Sequence, residues 1–473
     1  MTKGRRMGSA TVEAIGIERV PEEKRHGTSI MAFTVWFAAN LGAAGFAIGV
    51  LAVYIFGLTL AQTIPVLLIS NLLGGLVLGL TASMGPELGV PQMLSSRSAF
   101  GRRGNYLPAA FNWISTIGWF TFNTILGVLA IQAIYADLNL YLGIAVLMLI
   151  QVVIAVFGHD IIHIFEKVMS IALGLVFLAI LAFILVSDKL APAFAYVPQG
   201  GNALAASFGA IGATVAVAFS YIIAWSPYAS DYSRYFPSKI SKRKVAIAAM
   251  LGGALASFGV EVLGAMVAAI LQNPTAGVQN TILFAGIASG FGSLGILMLA
   301  ALAIGVVTAN ALNIYSNALS ALVLDIKAKR WVTVAAGGFI GFALAAIVGA
   351  NFVVAFENFL LVLDYWITPW VAIMLVDFFL AKRTAANLGR KSNVLNPTTI
   401  GIYAFSIILS IPFMVPTGIC SATSSTSCFY IPLVSPAVSS LAWIFGGADF
   451  SYFISFAIAG VLYFAYRRIK QHG

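Results

Sequence analysis

Ala39-Asn40-Leu41-Gly42-Ala43-Ala44-Gly45 and Trp225-Ser226-Pro227-Tyr228-Ala229-Ser230-Asp231 decide how this chain is read. Each places amide, glycine or proline residues inside a run otherwise apolar enough to cross a bilayer. A helix broken at membrane depth exposes backbone N–H and C=O groups, which survive only where they line a cavity or bind a ligand. The first stretch lies in the first apolar run and the second towards the inner end of the sixth. Breaks in the first helix of each of two five-helix halves are what an inverted-repeat transporter requires. Glycine at helix contacts is common in membranes, so the first stretch alone would also suit close packing; the pairing favours unwinding.

Outward from these breaks, about twelve runs reach spanning length: 29–56, 58–84, 106–135, 139–157, 164–187, 207–230, 246–271, 292–320, 332–350, 354–380, 398–418 and 438–466. The 473 residues are 60% apolar and 9% charged, with a mean hydropathy of +0.97. A soluble globular domain is excluded. With the N-terminus inside, Lys189 alone of the 26 Lys and Arg residues falls on the outer side, the pattern of the positive-inside rule. The expectation is an all-α, multi-pass protein of the plasma (inner) membrane with both termini cytoplasmic. A polar, mobile tail over 1–27 precedes one transporter domain over 28–466, and a short tail covers 467–473. The first 27 residues hold no apolar core of a cleavable signal peptide. A net charge of +10 is explained by orientation and by contact of the loops with anionic membrane lipid, so no nucleic-acid partner is expected. No obligate protein partner is inferred. The apolar, Gly-interrupted segment 280–291 reads as a short helix on the outer face. Cys420 and Cys428 share the last outer loop, where an oxidising compartment favours a disulfide over two free thiols.

Span three reads Phe111-Asn112-Trp113-Ile114-Ser115-Thr116-Ile117-Gly118-Trp119-Phe120-Thr121-Phe122-Asn123. Asn112, Thr116, Trp119 and Asn123 share one helical face. Such a stripe suits a flat heteroaromatic ligand, the indole stacking on its face and an amide reading its edge; the alternative is a polar seam between helices. Span eight offers Thr308, Asn310, Asn313, Ser316 and Asn317 as a second polar wall. Glu261 in span seven and Glu357 and Asp364 in span ten are intramembrane carboxylates, functional candidates by default. Glu357 reads as solvated near the outer surface. Glu261 and Asp364 fall deeper, where each could exchange a proton, coordinate a cation or bond freed backbone. His159, Asp160, His163 and Glu166 form an HDxxHxxE cluster near the inner end of span five, read as a solvated amphipathic turn in preference to a metal site. No cofactor or metal site is expected, and no catalytic motif suggests an enzyme.

Four stretches together resemble the nucleobase–cation symporters of the first class, in particular their purine–cytosine permease branch. They are Pro91-Gln92-Met93-Leu94-Ser95-Ser96-Arg97-Ser98-Ala99-Phe100-Gly101, Trp119-Phe120-Thr121-Phe122-Asn123, Ala224-Trp225-Ser226-Pro227-Tyr228-Ala229-Ser230-Asp231-Tyr232-Ser233-Arg234 and Asn310-Ala311-Leu312-Asn313-Ile314-Tyr315-Ser316. The resemblance implies a LeuT-like 5+5 inverted repeat with two further C-terminal helices. It also implies alternating access to a site between spans one, three, six and eight. Positions matching Trp119, Asn123, Trp225, Asn310 and Asn313, with Asn40 of the broken first span, would face a nucleobase or similar heterocycle. Sodium-coupled hydantoin carriers of the family place the span-six aromatic about three residues earlier, near Ile222. They also carry adjacent hydroxyl residues on span eight, where this chain has Val307-Thr308. That departure tilts the expected coupling cation towards H+, with Na+ the alternative, and makes Glu261, Asp364 and Thr308 the coupling candidates. The leading expectation is import of cytosine, a purine or a related heterocycle. The alternatives are a sodium-coupled carrier of another heterocycle (allantoin, a hydantoin, a pyridine vitamin) and an amino-acid carrier of the same fold.

Overall fold

The computed structural model describes residues 15–157, 159–198, 204–272, 284, 286–326, 330–348, 352–381, 394–415 and 440–472. Cys420 and Cys428 lie outside them. Seven of the described helices are long and apolar enough to cross a membrane, and an eighth span forms if one bent pair is counted as one. That pair is span one, Ser29–Ala39 and Ala43–Tyr54, bent by 56° at Asn40-Leu41-Gly42. Span two is Leu60–Ala82, span three Tyr106–Ile134, span four Leu140–Phe157 and span five His159–Val186. Span six runs Leu204–Ile223, breaks into a tight turn at Ser226–Tyr228 and resumes as Ala229–Ser233. Span seven is Lys242–Leu271, span eight Ile287–Val323, span nine Arg330–Val348 and span ten Phe352–Leu375. The chain is therefore a multi-pass membrane protein.

Both breaks have local causes. Gly42 is extended and starts the second half of span one. A side chain at Gly305 of span eight would collide with the Leu41 carbonyl, so span eight can press against the gap only because that residue is glycine. In span six, Pro227 offers no N–H to continue the helix and sits in the first positions of the following turn. The breaks meet each other: Trp225 Nε1 donates to Asn40 Oδ1 at 3.0 Å, while Asn40 Nδ2 returns to the Trp36 carbonyl at 2.7 Å. A carbonyl freed by the first break is thereby satisfied.

Spans three and eight form the most extensive helix contact, with spans two and seven the next. Span twelve is later and shorter than its apolar run suggests: Ser440–Ile444 is separate, and the long helix is Ser451–His472. Gly446 and Gly447, both left-handed, divide the two. At the other predicted short helix, residues 287–291 already belong to span eight and a left-handed Gly292 kinks it there.

Three further expectations change. From residue 15 the N-terminal segment is docked, not mobile. Val20 N donates to the Gly89 carbonyl at 2.8 Å, Arg25 Nη1 to the Pro86 carbonyl at 2.6 Å, and Ser238 Oγ to Glu22 at 3.0 Å. Glu357 is buried, not solvated. His163 and Glu166 are buried as well, while Ile164, Lys167 and Val168 on the same helix are exposed. In a membrane helix the lipid takes the apolar face, so the polar stripe turns into the protein.

Candidate substrate site between spans one, three, six and eight

Trp119 stands at the middle of span three, buried, with Tyr221 of span six edge-on to it (ring centroids 5.7 Å apart, 62° between planes). Phe359 and Phe356 of span ten meet its other sides at 5.2 and 6.3 Å. The indole N–H is buried without a hydrogen-bond partner. One turn on, Asn123 Nδ2 donates to Asn310 Oδ1 at 3.1 Å, and Asn313 Nδ2 donates to the same oxygen at 3.1 Å. Asn310 Nδ2 in turn reaches the Phe120 carbonyl (3.0 Å), Thr124 Oγ1 (3.1 Å) and Gln151 Oε1 of span four (3.0 Å). Tyr228, in the span-six break, donates to Asn313 Oδ1 at 2.9 Å. Four elements thus hold three carboxamides in a fixed array next to an aromatic box.

The lower half of the span-three stripe is closed differently. Asn112 Nδ2 donates to Ser320 Oγ at 2.8 Å. Asn317 Nδ2 donates to Thr116 Oγ1 at 2.9 Å and to the Trp113 carbonyl at 3.0 Å. This half is a seam between helices.

Thr308 sits at the first break, its hydroxyl donating to the Ala38 carbonyl at 3.0 Å and to the Gly305 carbonyl at 2.7 Å. Glu261 is buried in span seven against span two, where Asn71 Nδ2 donates to one carboxylate oxygen; its other oxygen has no partner. Asp364, also buried, lies on span ten, which packs on spans six and twelve. Among the described residues no three His, Cys, Asp or Glu side chains gather as metal ligands.

Residues 19–446 match the family model for permeases of cytosine/purines, uracil, thiamine and allantoin. The chain belongs to this family. It is 30% identical over 468 residues, 96% of its own length and 95% of the relative's, to a putative purine-cytosine permease of Bacillus subtilis. A purine-cytosine permease of Emericella nidulans is 30% identical, over 79% of this chain and 74% of that protein. Among solved structures, a nucleobase-cation-symport-1 family transporter in a closed conformation with bromovinylhydantoin bound superposes with a TM-score of 0.72. Identity there is 19%, over 98% of this chain and 96% of that one. A sodium-coupled sialic acid symporter matches at TM-score 0.60 and 12% identity, over 95% of this chain and 91% of its own. The fold is thus the LeuT-like one, and the protein is a permease, not an enzyme.

Of the residues expected at the site, this permease brings together Trp119, Asn123, Asn310 and Asn313. Trp225 and Asn40 lie in the adjoining seam, bonded to each other, with Trp225 tilted against Trp36 at 5.5 Å and edge-on to Tyr228 at 5.4 Å. Glu261 and Asp364 are on other helix interfaces. Tyr221 and Gln151 were not among the expected residues. Tyr221 lies four residues before Trp225, on the same helical face, next to where hydantoin carriers place their aromatic. Gln151 is the lone polar residue of an apolar span, and that alone marked it.

Proposed function

We propose that this permease imports a nucleobase or closely related heterocycle by alternating access, from a plasma-membrane location with its basic loops and both termini in the cytoplasm. The observation that carries the reading is Trp119 facing Tyr221 beside the Asn123–Asn310–Asn313 array. A planar base can stack against the aromatic rings while the amides pair with its donors and acceptors, and such stacking is worth about 1–3 kcal/mol per base. The relatives' descriptions as purine-cytosine permeases support the same substrate class. The proposed coupling ion is the proton. Val307 offers no oxygen beside Thr308; Glu261 and Asp364 lie buried, and the only lysines and arginine of the described spans that hold them, Lys242, Arg243 and Lys244, open span seven, at least 17 residues before Glu261.

Sodium coupling is the second reading, favoured by one contact: the Thr308 hydroxyl and the Ala38 carbonyl meet at the first break, where two oxygens of a cation shell would be needed.

Radiolabelled cytosine uptake, competed by a panel of purines, pyrimidines and allantoin, tests the substrate class. Sodium-free buffer, an acid outer pH and an uncoupler test the ion. Uptake that persists without sodium, rises with outer acidity and collapses with the uncoupler supports the proposal. Strict sodium dependence, with Glu261→Gln and Asp364→Asn still concentrating substrate, overturns proton coupling. Competition by none of the bases overturns the substrate class.

A further inference from the structure

Glu166 has no role in the site described above, yet, like Asp364, it is a buried acid with neither carboxylate oxygen partnered. It lies on span five, about two turns from the start of that helix at the basic end, with no measurable exposure. Span five packs chiefly on spans one and eight. Eight residues further along, Gly174 faces the Phe37 ring of span one, so at 1.5 Å per residue Glu166 lies about 12 Å nearer the basic end than that contact. One turn before it, His163 is buried with Tyr232 of span six edge-on at 6.5 Å, and Ile162 packs into the cluster that holds Trp36, Trp225 and Tyr228.

Among the described residues no side chain bonds the carboxylate. The first half of span one (Ser29–Ala39) has no ionisable side chain. Span eight contributes Tyr315 alone, and the described part of span four only Tyr141, near its opposite end. Span six brings Tyr232, whose hydroxyl donates to the Leu312 carbonyl at 2.8 Å, and Asp231, which accepts from Gln92 N at 2.9 Å. It also brings Arg234, whose guanidinium is engaged by the Gly16 carbonyl (2.7 Å) and the hydroxyls of Tyr235 (3.2 Å) and Tyr315 (3.1 Å). His26 of the docked N-terminal segment bonds the Lys24 carbonyl at 3.0 Å. An ionised carboxylate sealed from water without partners costs far more than a neutral acid.

We infer that Glu166 is a proton-binding site that stays loaded while the basic end is shut and releases its proton to the cytoplasm when span one parts from span five. The inference rests on the proton-coupled reading and adds to it the residue and side at which the proton leaves. The group to be moved is the first half of span one, already separated from the second by the break at Asn40-Leu41-Gly42. Its withdrawal uncovers the acid to water, the carboxylate ionises, and the charge then opposes reclosure. Alkaline cytoplasm therefore favours the open state, and reprotonation is needed before the end can shut.

The test is cytosine transport by the full-length protein in proteoliposomes, with inner and outer pH set independently. In wild type an inward proton gradient should drive accumulation, and raising the inner pH at constant outer pH should speed substrate release to the inside. Glu166→Gln should lose gradient-driven accumulation and the response to inner pH, while cytosine/cytosine exchange persists. If wild type is not driven by protons at all, the proton-coupled reading falls and this inference with it. If wild type is driven and Glu166→Gln accumulates equally well, the inference alone falls. Should Glu166→Gln show no exchange, labelling of wild type with dicyclohexylcarbodiimide, which attacks protonated acids in apolar surroundings, decides by peptide mass. Label on Glu166 that declines as the inner end is opened at alkaline pH supports the site. An unlabelled Glu166 at every pH, beside labelled Glu261 or Asp364, overturns it.

Discussion

The two halves of the span three–span eight seam are built from the same residue types and end in different states. In the lower half Asn112 meets Ser320, and Asn317 meets Thr116 and a carbonyl; each amide nitrogen is answered by the facing helix. In the upper half the bonds converge on Asn310 from three sides, and next to that convergence Trp119 holds a buried N–H with no protein partner. An unpartnered group does not by itself separate the halves, since Asn112 Oδ1, Trp113 Nε1 and Asn317 Oδ1 in the lower half also lack partners; what differs is that the upper bonds concentrate on one residue. Residue type alone does not separate the two, because carboxamides glue helices as readily as they read ligands. The neighbours decide: aromatic rings from spans six and ten surround Trp119, and none of the Asn112–Thr116–Asn317 bonds involves a third span.

The largest expected effect is at the convergence point. Asn310→Leu removes an oxygen that takes two amide donors and a nitrogen that reaches three acceptors. Buried groups left unsatisfied cost about 1–3 kcal/mol each, and the positions of Asn123 and Asn313 are lost with them. Cytosine uptake should vanish at normal surface expression; measurable wild-type uptake in this variant would reduce the array to another seam.

Trp119→Ala comes next. Removing one stacking face should cost about 1–3 kcal/mol of affinity, roughly five- to 150-fold in the uptake constant, with Tyr221→Ala acting in the same direction. Unchanged affinity in both variants would contradict the aromatic box.

Asn317→Ala probes the lower half. An interhelical hydrogen bond in a membrane averages about 0.6 kcal/mol and reaches about 1.7. A small fall in the thermal midpoint of the detergent-solubilised protein is expected, with uptake affinity unaltered. An affinity loss as large as that of Trp119→Ala would erase the distinction between the halves.

Much of this was legible in the chain. The charge pattern, the paired breaks and the Trp119–Asn123 spacing give the architecture and half of the candidate site, because helical periodicity and the positive-inside rule are local signals. Three features were not legible. The division of the stripe into seam and site depends on what span eight and span ten bring to it, a tertiary fact. Trp225 presented the more conspicuous aromatic, but the break at Pro227 turns it towards Asn40 and Trp36, leaving Tyr221 to face Trp119. The burial of Glu166 reverses the usual sense of amphipathicity, since lipid rather than water receives the apolar face.

The smallest effect sharpens the comparison from a third network, at the basic end of the same two spans. Asp325, just past span eight, accepts from the Tyr106 hydroxyl at the start of span three and from Arg102 Nη2 and Nε at 3.0 and 3.2 Å, with Arg97 Nη2 at 3.5 Å. Like the lower seam it closes on itself, but with charge and in partial contact with water. Burial pushes the Asp325 carboxyl up, yet the hydrogen bonds from Tyr106 and Arg102 and the charges of Arg97 and Arg102 outweigh it and hold the group below its ordinary range. A carboxyl depressed in the folded state adds stability above its unfolded value, near 3.9, and that stability is lost as pH falls through the folded value. Asp325 has a left-handed backbone (φ 58°), which Asn also adopts without much strain. Asp325→Asn therefore removes the charge while keeping the turn. Because Arg102 is exposed, the loss should be at most about 1 kcal/mol, seen as a small drop in thermal midpoint at neutral pH that shrinks in high salt and disappears in acid, with cytosine affinity unchanged. A drop that persists in acid would mean the turn, not the charge, holds this end; a change in affinity would join the basic end energetically to the site above it.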